Sequence, residues 1–215
     1  MGRKSREEAK ATRESLLVSA LNIMSEKPYS KVSMSAIAEA IGLSKGATYW
    51  HFRNKEDVLV NLIENCCLMG EREMREVIAD TNSAAGIREY YKLKLEKTYD
   101  NSYFKKFSAL MHRRIEWPES IQEQVYDMIH ESIKKENKMV RDFLASEQKR
   151  GNLKGECKPD EMANVITSLM HGLMSHQLFE ISDQKMSLYV DMVFDALDGE
   201  IFRQDNSELT MSKIV

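Results

Sequence analysis

Apolar residues recur along this chain at the spacings of three and four that are typical of amphipathic helices. A first helix is predicted from about residue 5 to 26, and one stripe along it carries Ala9, Leu16, Leu17, Ala20, Leu21 and Met24. No segment shows the sustained alternation of period two that marks a half-buried strand. The pattern therefore predicts an all-α protein with essentially no sheet.

Two short helices are predicted after the first one. The second helix begins near Ser33 or Ser35, because either hydroxyl can accept a hydrogen bond from an unpaired backbone N–H. Gly42 supplies the left-handed residue that closes it. Its inner face is predicted to carry Ile37, Ala38 and Ile41.

Ser44 is placed to cap a third helix, which runs from Lys45 to Phe52. Asn54 caps a fourth helix that reaches about Asp80. Helices as short as the second and third are not stable alone in water. They need the first helix and the start of the fourth to bury their apolar side chains, which are Ile37, Ile41, Leu43 and Phe52.

Five further helices are predicted in the remainder of the chain. They span about 86–100, 103–115, 118–150, 159–181 and 185–203. The tail after Arg203 is polar and is expected to be frayed. The predicted organisation is a helix-turn-helix domain over 1–60, a larger helical domain over 61–203 and the tail over 204–215.

Charge is distributed unevenly between the two parts of the chain. Residues 1–55 hold ten Lys and Arg against five Asp and Glu, whereas the remaining 160 residues hold 21 basic and 29 acidic groups. A basic head on an acidic body indicates an anionic partner for the head alone.

Composition narrows the class of protein further. The three cysteines include an adjacent pair, Cys66 and Cys67, and the odd count suits a reducing cytosol. The polar N-terminus and the absence of a run of about 18 apolar residues favour a cytoplasmic protein. No histidine pair has zinc-ligand spacing, and no phosphate loop or nucleophile elbow occurs, so we expect no metal, no cofactor and no enzyme activity.

The segment from Ser33 to Phe52 resembles the DNA-binding domain of TetR-family regulators, in particular repressors of multidrug efflux. The motifs that carry the resemblance are Ile37-Ala38, Gly42-Leu43-Ser44, Tyr49-Trp50-His51-Phe52 and Lys55-Glu56-Asp57-Val58-Leu59. The match covers roughly residues 10–60. One departure is Lys27-Pro28, which stands where the family usually has a glycine.

The resemblance implies that the third helix enters the major groove of DNA, which is wide enough to admit a helix. It implies base-edge or groove contact from Lys45, Ala47 and Thr48, with Gly46 permitting close backbone approach. It implies phosphate contact from Ser33, Ser35, Tyr49, His51 and Lys55, with Ser44 at the helix start. Trp50 either contacts DNA or packs against the protein.

The larger domain is expected to hold a small-molecule effector. Methionine suits an adaptable pocket, although it is also ordinary core filler. Candidate lining residues are Met69, Tyr103, Phe104, Phe107, Met111, His112, Trp117, Met170 and Met174.

The last two long helices carry wide apolar stripes. In TetR-like proteins such helices pair with their copies in a dimer, but they could also bury against their own subunit. The candidate dimer residues are Met162, Ile166, Leu169, Leu173, Tyr189, Met192 and Val193.

Together these features predict a homodimeric repressor that a small apolar or amphipathic molecule releases from a palindromic DNA operator. The alternatives are a transcriptional activator, a redox-responsive regulator acting through Cys66 and Cys67, and an enzyme that uses the helical pocket.

Overall fold

The computed structural model describes residues 2–80, 85–100, 102–178 and 186–201, and these ranges form nine α-helices and no β-strand. The all-α fold class is therefore confirmed. The helices are α1 (Gly2–Glu26), α2 (Met34–Glu39), α3 (Lys45–His51), α4 (Lys55–Asp80), α5 (Ala85–Asp100), α6 (Ser102–His112), α7 (Glu119–Lys149), α8 (Pro159–Leu178) and α9 (Met186–Ile201). Two 3-10 turns lie at Tyr29–Lys31 and Arg113–Glu116.

The helix ends follow from local chemistry. The helix predicted over 103–115 ends at His112 and continues as a 3-10 turn, because Pro118 holds the preceding Trp117 in an extended conformation. Gly151 closes α7 in the left-handed region, with φ of +82°. The predicted tail over 204–215 and the predicted helix ends at 181, 185 and 203 lie outside the described residues.

The chain divides into two compact units, and the division differs from the predicted boundary at residue 60. The first unit combines Met1–Arg72 with Glu96–Ser132, and the second combines Glu73–Leu95 with Ile133–Val215. The first unit is larger than predicted because α6 and the start of α7 contribute to the same hydrophobic core as α1 to α4. That core includes Leu16, Leu21, Ile37, Phe52, Leu59, Leu62, Leu110, Trp117, Ile121 and Val125.

The second unit has its own core, formed by α5, α7, α8, α9 and the end of α4. Its buried side chains include Met74, Ile87, Tyr91, Val140, Leu144, Ile166, Met170 and Phe194. Ion pairs connect α5 to α9, where the Arg88 guanidinium lies 2.6 Å from a carboxylate oxygen of Asp191 and 2.8 Å from one of Asp195. These contacts fix α9 against α5.

A buried charge cluster lies inside the second unit. The Lys94 ammonium donates to both carboxylate oxygens of Glu136, at 3.0 and 2.9 Å, and His171 Nε2 lies 3.3 Å from Oε2. Burial alone would raise the pKa of Glu136, but Lys94 and the hydrogen bond with His171 outweigh it and lower the pKa to about 2. Glu136 is therefore ionised in the folded protein across the neutral and mildly acidic range.

Replacing Glu136 with Gln is expected to destabilise the protein by about 3 kcal/mol at neutral pH, because the Lys94 ammonium stays buried without its counter-ion. The pKa of Glu136 lies below its ordinary value of 4.5 in the folded state. Its contribution is therefore present above pH 4.5 and is lost as the pH falls toward 2. Urea unfolding at several pH values measures both effects.

The matched control is Glu123→Gln, which removes an exposed carboxylate from the same helix. It should leave both the free energy of unfolding and its acid dependence unchanged. Equal stability of the Glu136 variant and the unmutated protein at neutral pH would contradict the assigned role of the cluster.

Candidate nucleic-acid interface

Helix α1 holds the two short helices in place through apolar packing and one buried hydrogen bond. Ile37 and Phe52 are 0% and 2% exposed in the core of the first unit. Ser19 is buried on α1, and its hydroxyl donates to the carbonyl oxygen of Ile37 at 2.8 Å. This bond ties α1 to α2. Ser19 is not among the residues predicted from the sequence, although a serine beside the apolar stripe of α1 was a signal for it.

Serine side chains begin both short helices, as predicted. The Ser33 hydroxyl oxygen accepts from the Ala36 N–H at 3.1 Å, and the Ser44 hydroxyl oxygen accepts from the Ala47 N–H at 3.4 Å. Between the two helices Gly42 has φ of +70°, a backbone conformation that residues with a Cβ rarely adopt. Capping uses the oxygen lone pairs and leaves each hydroxyl proton available for another acceptor.

The seven-residue helix α3 presents one face to solvent. Tyr49 and Trp50 are 49% and 73% exposed, and Lys45 and Gly46 are also exposed. The Lys45 ammonium lies 5.5 Å from the centre of the Tyr49 ring. Trp50 therefore does not pack into the core, and its contact with DNA stays a prediction.

The predictions for two residues, Thr48 at the DNA and Ile41 in the core, are corrected by their burial. Thr48 is fully buried, and its hydroxyl finds no hydrogen-bond partner among the described residues. Thr48 cannot reach a base edge, because the face of α3 that carries it closes over the core. Ile41, predicted on the inner face of α2, is 36% exposed because α2 ends at Glu39.

The start of α4 is held by a network of side-chain hydrogen bonds. Asn54 Oδ1 accepts from the Asp57 N–H at 2.7 Å, and an Asp57 carboxylate oxygen accepts from the Arg53 N–H at 2.8 Å. The Asn61 amide donates to the Asp57 carboxylate at 2.7 Å, and the Arg13 guanidinium donates to the Asn61 side-chain oxygen. The N-terminus of α4 is thereby fixed to α1.

Lys55 is half-buried and has partners inside the protein. Its ammonium donates to the carbonyl oxygen of Tyr29 at 2.8 Å and lies 3.9 Å from the centre of the Tyr29 ring. The Tyr29 hydroxyl donates to Glu56 Oε1 at 3.1 Å. Burial and the neighbouring Glu56 carboxylate raise the pKa of Tyr29. Two of the three ammonium N–H groups of Lys55 remain for a phosphate.

His51 follows Trp50 at the end of α3, and the two rings meet edge to face with centroids 4.5 Å apart. Burial and the nearby Arg13 lower the pKa of His51. Its imidazole is therefore neutral at physiological pH and can donate one hydrogen bond without carrying charge.

The nine predicted effector-pocket residues are not brought together in one described unit. Tyr103, Phe107, Met111 and Trp117 pack against the core of the first unit, whereas Met170 and Met174 belong to the second. Met69 and Phe104 are half-buried, and His112 is exposed. Trp117 is 4% exposed, and its indole N–H finds no hydrogen-bond partner among the described residues.

A groove of about 440 Å³ lies between α7 and α8, in the second unit. None of the predicted pocket residues lines it. The lining residues are Ile133, Lys134, Asn137, Lys138, Arg141, Asn164, Thr167 and Ser168.

The predicted dimer residues divide between core and surface. Leu169 and Met192 are 42% and 59% exposed in the single chain, and their place in a dimer interface stays a prediction. Ile166 is 1% exposed and fills the core of its own unit, so its assignment to a subunit interface is wrong. Four others are half-buried against that core: Met162, Leu173, Tyr189 and Val193.

Val165 on α8 and Leu188 on α9 belong to the same apolar stripes and are 43% and 51% exposed. A stripe too wide for one contact face has a core side and a surface side, and periodicity alone does not tell them apart.

The thiol chemistry needed for the redox alternative is disfavoured at Cys66. This residue is 6% exposed, and its sulfur lies 3.3 Å from the Tyr103 hydroxyl. Burial raises the pKa of the Cys66 thiol to about 12, so the reactive thiolate is scarce near neutral pH.

Two other classes of site are absent from the described ranges. They contain no group of three or more His, Cys, Asp or Glu side chains arranged to hold a metal ion. No helix there combines the length and hydrophobicity needed to cross a lipid bilayer.

The N-terminal region matches a known protein family. A family model for bacterial regulatory proteins of the tetR family matches residues 16–62. Over 64 residues the chain is 41% identical to the HTH-type transcriptional regulator AcrR of Shigella flexneri, an alignment that covers 30% of each chain. Over 180 residues it is 22% identical to the HTH-type transcriptional regulator TtgR of Pseudomonas putida, covering 83% of this chain and 85% of TtgR.

The fold similarity extends over most of the chain. The structure of SmeT with triclosan superimposes with a TM-score of 0.69 at 20% identity, covering 91% of this chain and 93% of that chain. SmeT is the repressor of the Stenotrophomonas maltophilia multidrug efflux pump SmeDEF. The family model thus matches the N-terminal part, whereas the fold similarity covers most of the chain.

Replacing Thr48 with Val is expected to leave DNA sequence preference unchanged and to stabilise the protein by up to about 1 kcal/mol, because it removes a buried hydroxyl that has no partner. The matched variant Lys45→Ala changes an exposed residue of the same helix and should alter the preferred sequence without changing stability. Selection from a random duplex pool and thermal unfolding measure the two effects. A Thr48→Val protein that selects a different sequence would show that this side chain does reach the DNA.

Proposed function

Because the chain is a DNA-binding transcriptional regulator of the TetR family, we propose that it acts as a homodimeric repressor that a small apolar or amphipathic effector releases from a palindromic operator. The observation that carries the proposal is the exposed face of α3, which lies in one compact unit with the capped N-termini of α2, α3 and α4. Backbone N–H groups and hydroxyls at helix starts suit phosphate groups, while an exposed helix face suits the major groove.

The proposed DNA contacts follow this surface. Base-edge or groove contacts come from Lys45 and Ala47, with Gly46 allowing close approach of the backbone. Backbone contacts come from Ser33, Ser35, Ser44, Tyr49, Trp50, His51 and Lys55. Thr48 is excluded because it is buried. The exposed Lys27, Lys31 and Arg53 add positive charge to the same unit.

Dimerisation through α8 and α9 is supported by their exposed apolar side chains. Val165, Leu169, Leu188 and Met192 are each more than two-fifths exposed in the single chain. A Cβ at Gly172 would meet no atom within 4 Å, so this position of α8 leaves room for a neighbouring helix. A two-fold dimer would present two α3 helices to paired half-sites of a palindrome.

The proposed effector is apolar with at least one hydrogen-bond acceptor. The first unit offers aromatic and methionine side chains on α6, and the buried indole N–H of Trp117 is a donor that a ligand oxygen could satisfy. The structure of a complex of triclosan with SmeT, which has the same fold, supports a lipophilic aromatic effector. Allosteric coupling of about 1–3 kcal/mol would lower operator affinity roughly 5- to 150-fold.

The central test is selection of DNA from a random duplex pool, followed by binding measurements on the selected sequence. The protein should enrich a palindrome, and its affinity should fall steeply with salt, because basic side chains displace condensed counter-ions. Triclosan and other lipophilic aromatic compounds are then titrated into the operator complex. Failure to prefer any duplex over random DNA would overturn the proposal. Compounds that stabilise the protein yet leave operator affinity unchanged would count against an effector.

Replacing Leu169 with Glu is expected to separate the dimer and to abolish operator binding at working concentrations, because the interface would bury an unpaired charge. The exposed Leu169 can be changed without disturbing the core, so helix content should be retained. Light scattering reports the mass, and circular dichroism reports the fold.

The matched control is Leu68→Glu, which introduces the same charge at a leucine of α4 that is 51% exposed, against 42% for Leu169. It should remain dimeric. A monomeric unmutated protein at micromolar concentration, or an unaffected Leu169→Glu dimer, would exclude this interface.

A further inference from the structure

Tyr29 is the point where three segments of the first unit meet. Its carbonyl and ring hold the Lys55 ammonium, and its hydroxyl donates to Glu56, as described above. Its backbone N–H donates to Glu116 Oε2 at 3.2 Å. The turn between α1 and α2 is therefore connected both to the start of α4 and to the segment between α6 and α7.

The position of Glu116 is fixed from both sides. It ends the 3-10 turn Arg113–Glu116, and its second carboxylate oxygen lies 3.5 Å from the Arg113 guanidinium. The next residue, Trp117, is buried in the core, and its backbone N–H donates to the Arg114 carbonyl at 3.1 Å. Glu116 thus offers Tyr29 an acceptor whose location depends on how α6 and α7 pack.

We propose that Tyr29 and Glu116 are positioning residues that hold the Lys55 ammonium at the DNA backbone, so that the turn between α6 and α7 is part of the DNA-binding apparatus. This inference rests on the proposed function, because it requires Lys55 to contact a phosphate. Neither Tyr29 nor Glu116 needs to touch DNA.

The physical reason is the freedom of a lysine side chain. An unrestrained lysine has many rotamers and loses most of them when it binds a phosphate. The Tyr29 carbonyl and ring already restrict Lys55 in the protein alone, so less entropy remains to be lost on binding. The hydrogen bond from Tyr29 to Glu116 restrains the backbone that carries both groups.

An electrostatic role and a positioning role of Glu116 predict opposite effects on DNA affinity when its carboxylate is removed. Removing a carboxylate from a protein that binds DNA should strengthen binding, because it reduces repulsion of the phosphates. Removing a positioning residue should weaken binding. The sign of the change in affinity therefore distinguishes the two roles.

The first experiment compares Glu116→Ala with Glu123→Ala, which removes one exposed carboxylate from α7 in the same unit. Operator affinity is measured by fluorescence anisotropy at several salt concentrations, at a temperature where circular dichroism shows each variant folded. Glu116→Ala should weaken binding about threefold to tenfold, whereas Glu123→Ala should leave it unchanged or slightly tighter. Glu116→Gln retains an oxygen acceptor for the Tyr29 N–H and should bind at least as tightly as the unmutated protein.

The second experiment is a double-mutant cycle with Lys55→Ala. That variant should weaken binding to all sequences and flatten the salt dependence by about one ion. If Glu116 acts through Lys55, Glu116→Ala should have no further effect in the Lys55→Ala protein. A merely structural role would give the same loss in both backgrounds.

Tyr29 variants provide a test that does not depend on Glu116. Tyr29→Phe retains the ring and the backbone groups and should bind nearly as well as the unmutated protein. Tyr29→Leu removes the ring under Lys55 and should weaken binding about threefold, again only when Lys55 is present.

Equal losses with and without Lys55, or operator affinity unchanged by both Glu116→Ala and Tyr29→Leu, would overturn the positioning role while leaving the proposed function intact. An unaffected Lys55→Ala protein would overturn this inference together with the proposed contact of Lys55. If the unmutated protein binds no duplex in preference to random DNA, the proposed function itself is overturned.

Discussion

The proposed DNA-binding surface depends on burial of two helices that are too short to exist alone. Helices α2 and α3 contain six and seven residues, well below the length at which an isolated helix is stable in water. Their inner residues Ile37 and Phe52 are almost completely buried, and the Ser19 hydroxyl closes the remaining polar gap to α2. Because the inner side of α3 is committed to the core, its outer side is rigid and exposed.

The same burial explains why the first unit does not end with the helix-turn-helix. The three-helix head alone leaves part of α1 and α4 uncovered, and α6 with the start of α7 supplies the missing apolar surface through Leu110, Trp117 and Ile121. A polar contact accompanies this packing, since Glu116 reaches the backbone of Tyr29. Residues distant in sequence are therefore part of the structure that supports α3 and the start of α4.

Polar groups in this protein act by restraint more than by reactivity. The Cys66 thiol is buried and kept protonated, and the Glu136 carboxylate is held ionised by Lys94 inside the second unit. Neither group meets solvent as a nucleophile or a base. Both groups therefore contribute to the stability of the fold and present no reactive atom at the surface.

Local features of the sequence were sufficient to predict the helices and the capped turn between the two short ones, whereas the DNA contacts stay a prediction. The stripe in α1, the capping serines Ser33 and Ser44, and Gly42 each act within a few residues of themselves, so their roles can be inferred without tertiary structure. Tertiary structure alone decided which side of each helix is buried. Thr48 and Ile166 have a spacing that suits a surface role, yet both lie in cores. Spacing could not decide between the two, because an apolar or small side chain at helical spacing fits either face. It also decided the contacts of Tyr29 with Lys55 and Glu116, which join residues far apart in the chain and have no local pattern to predict them.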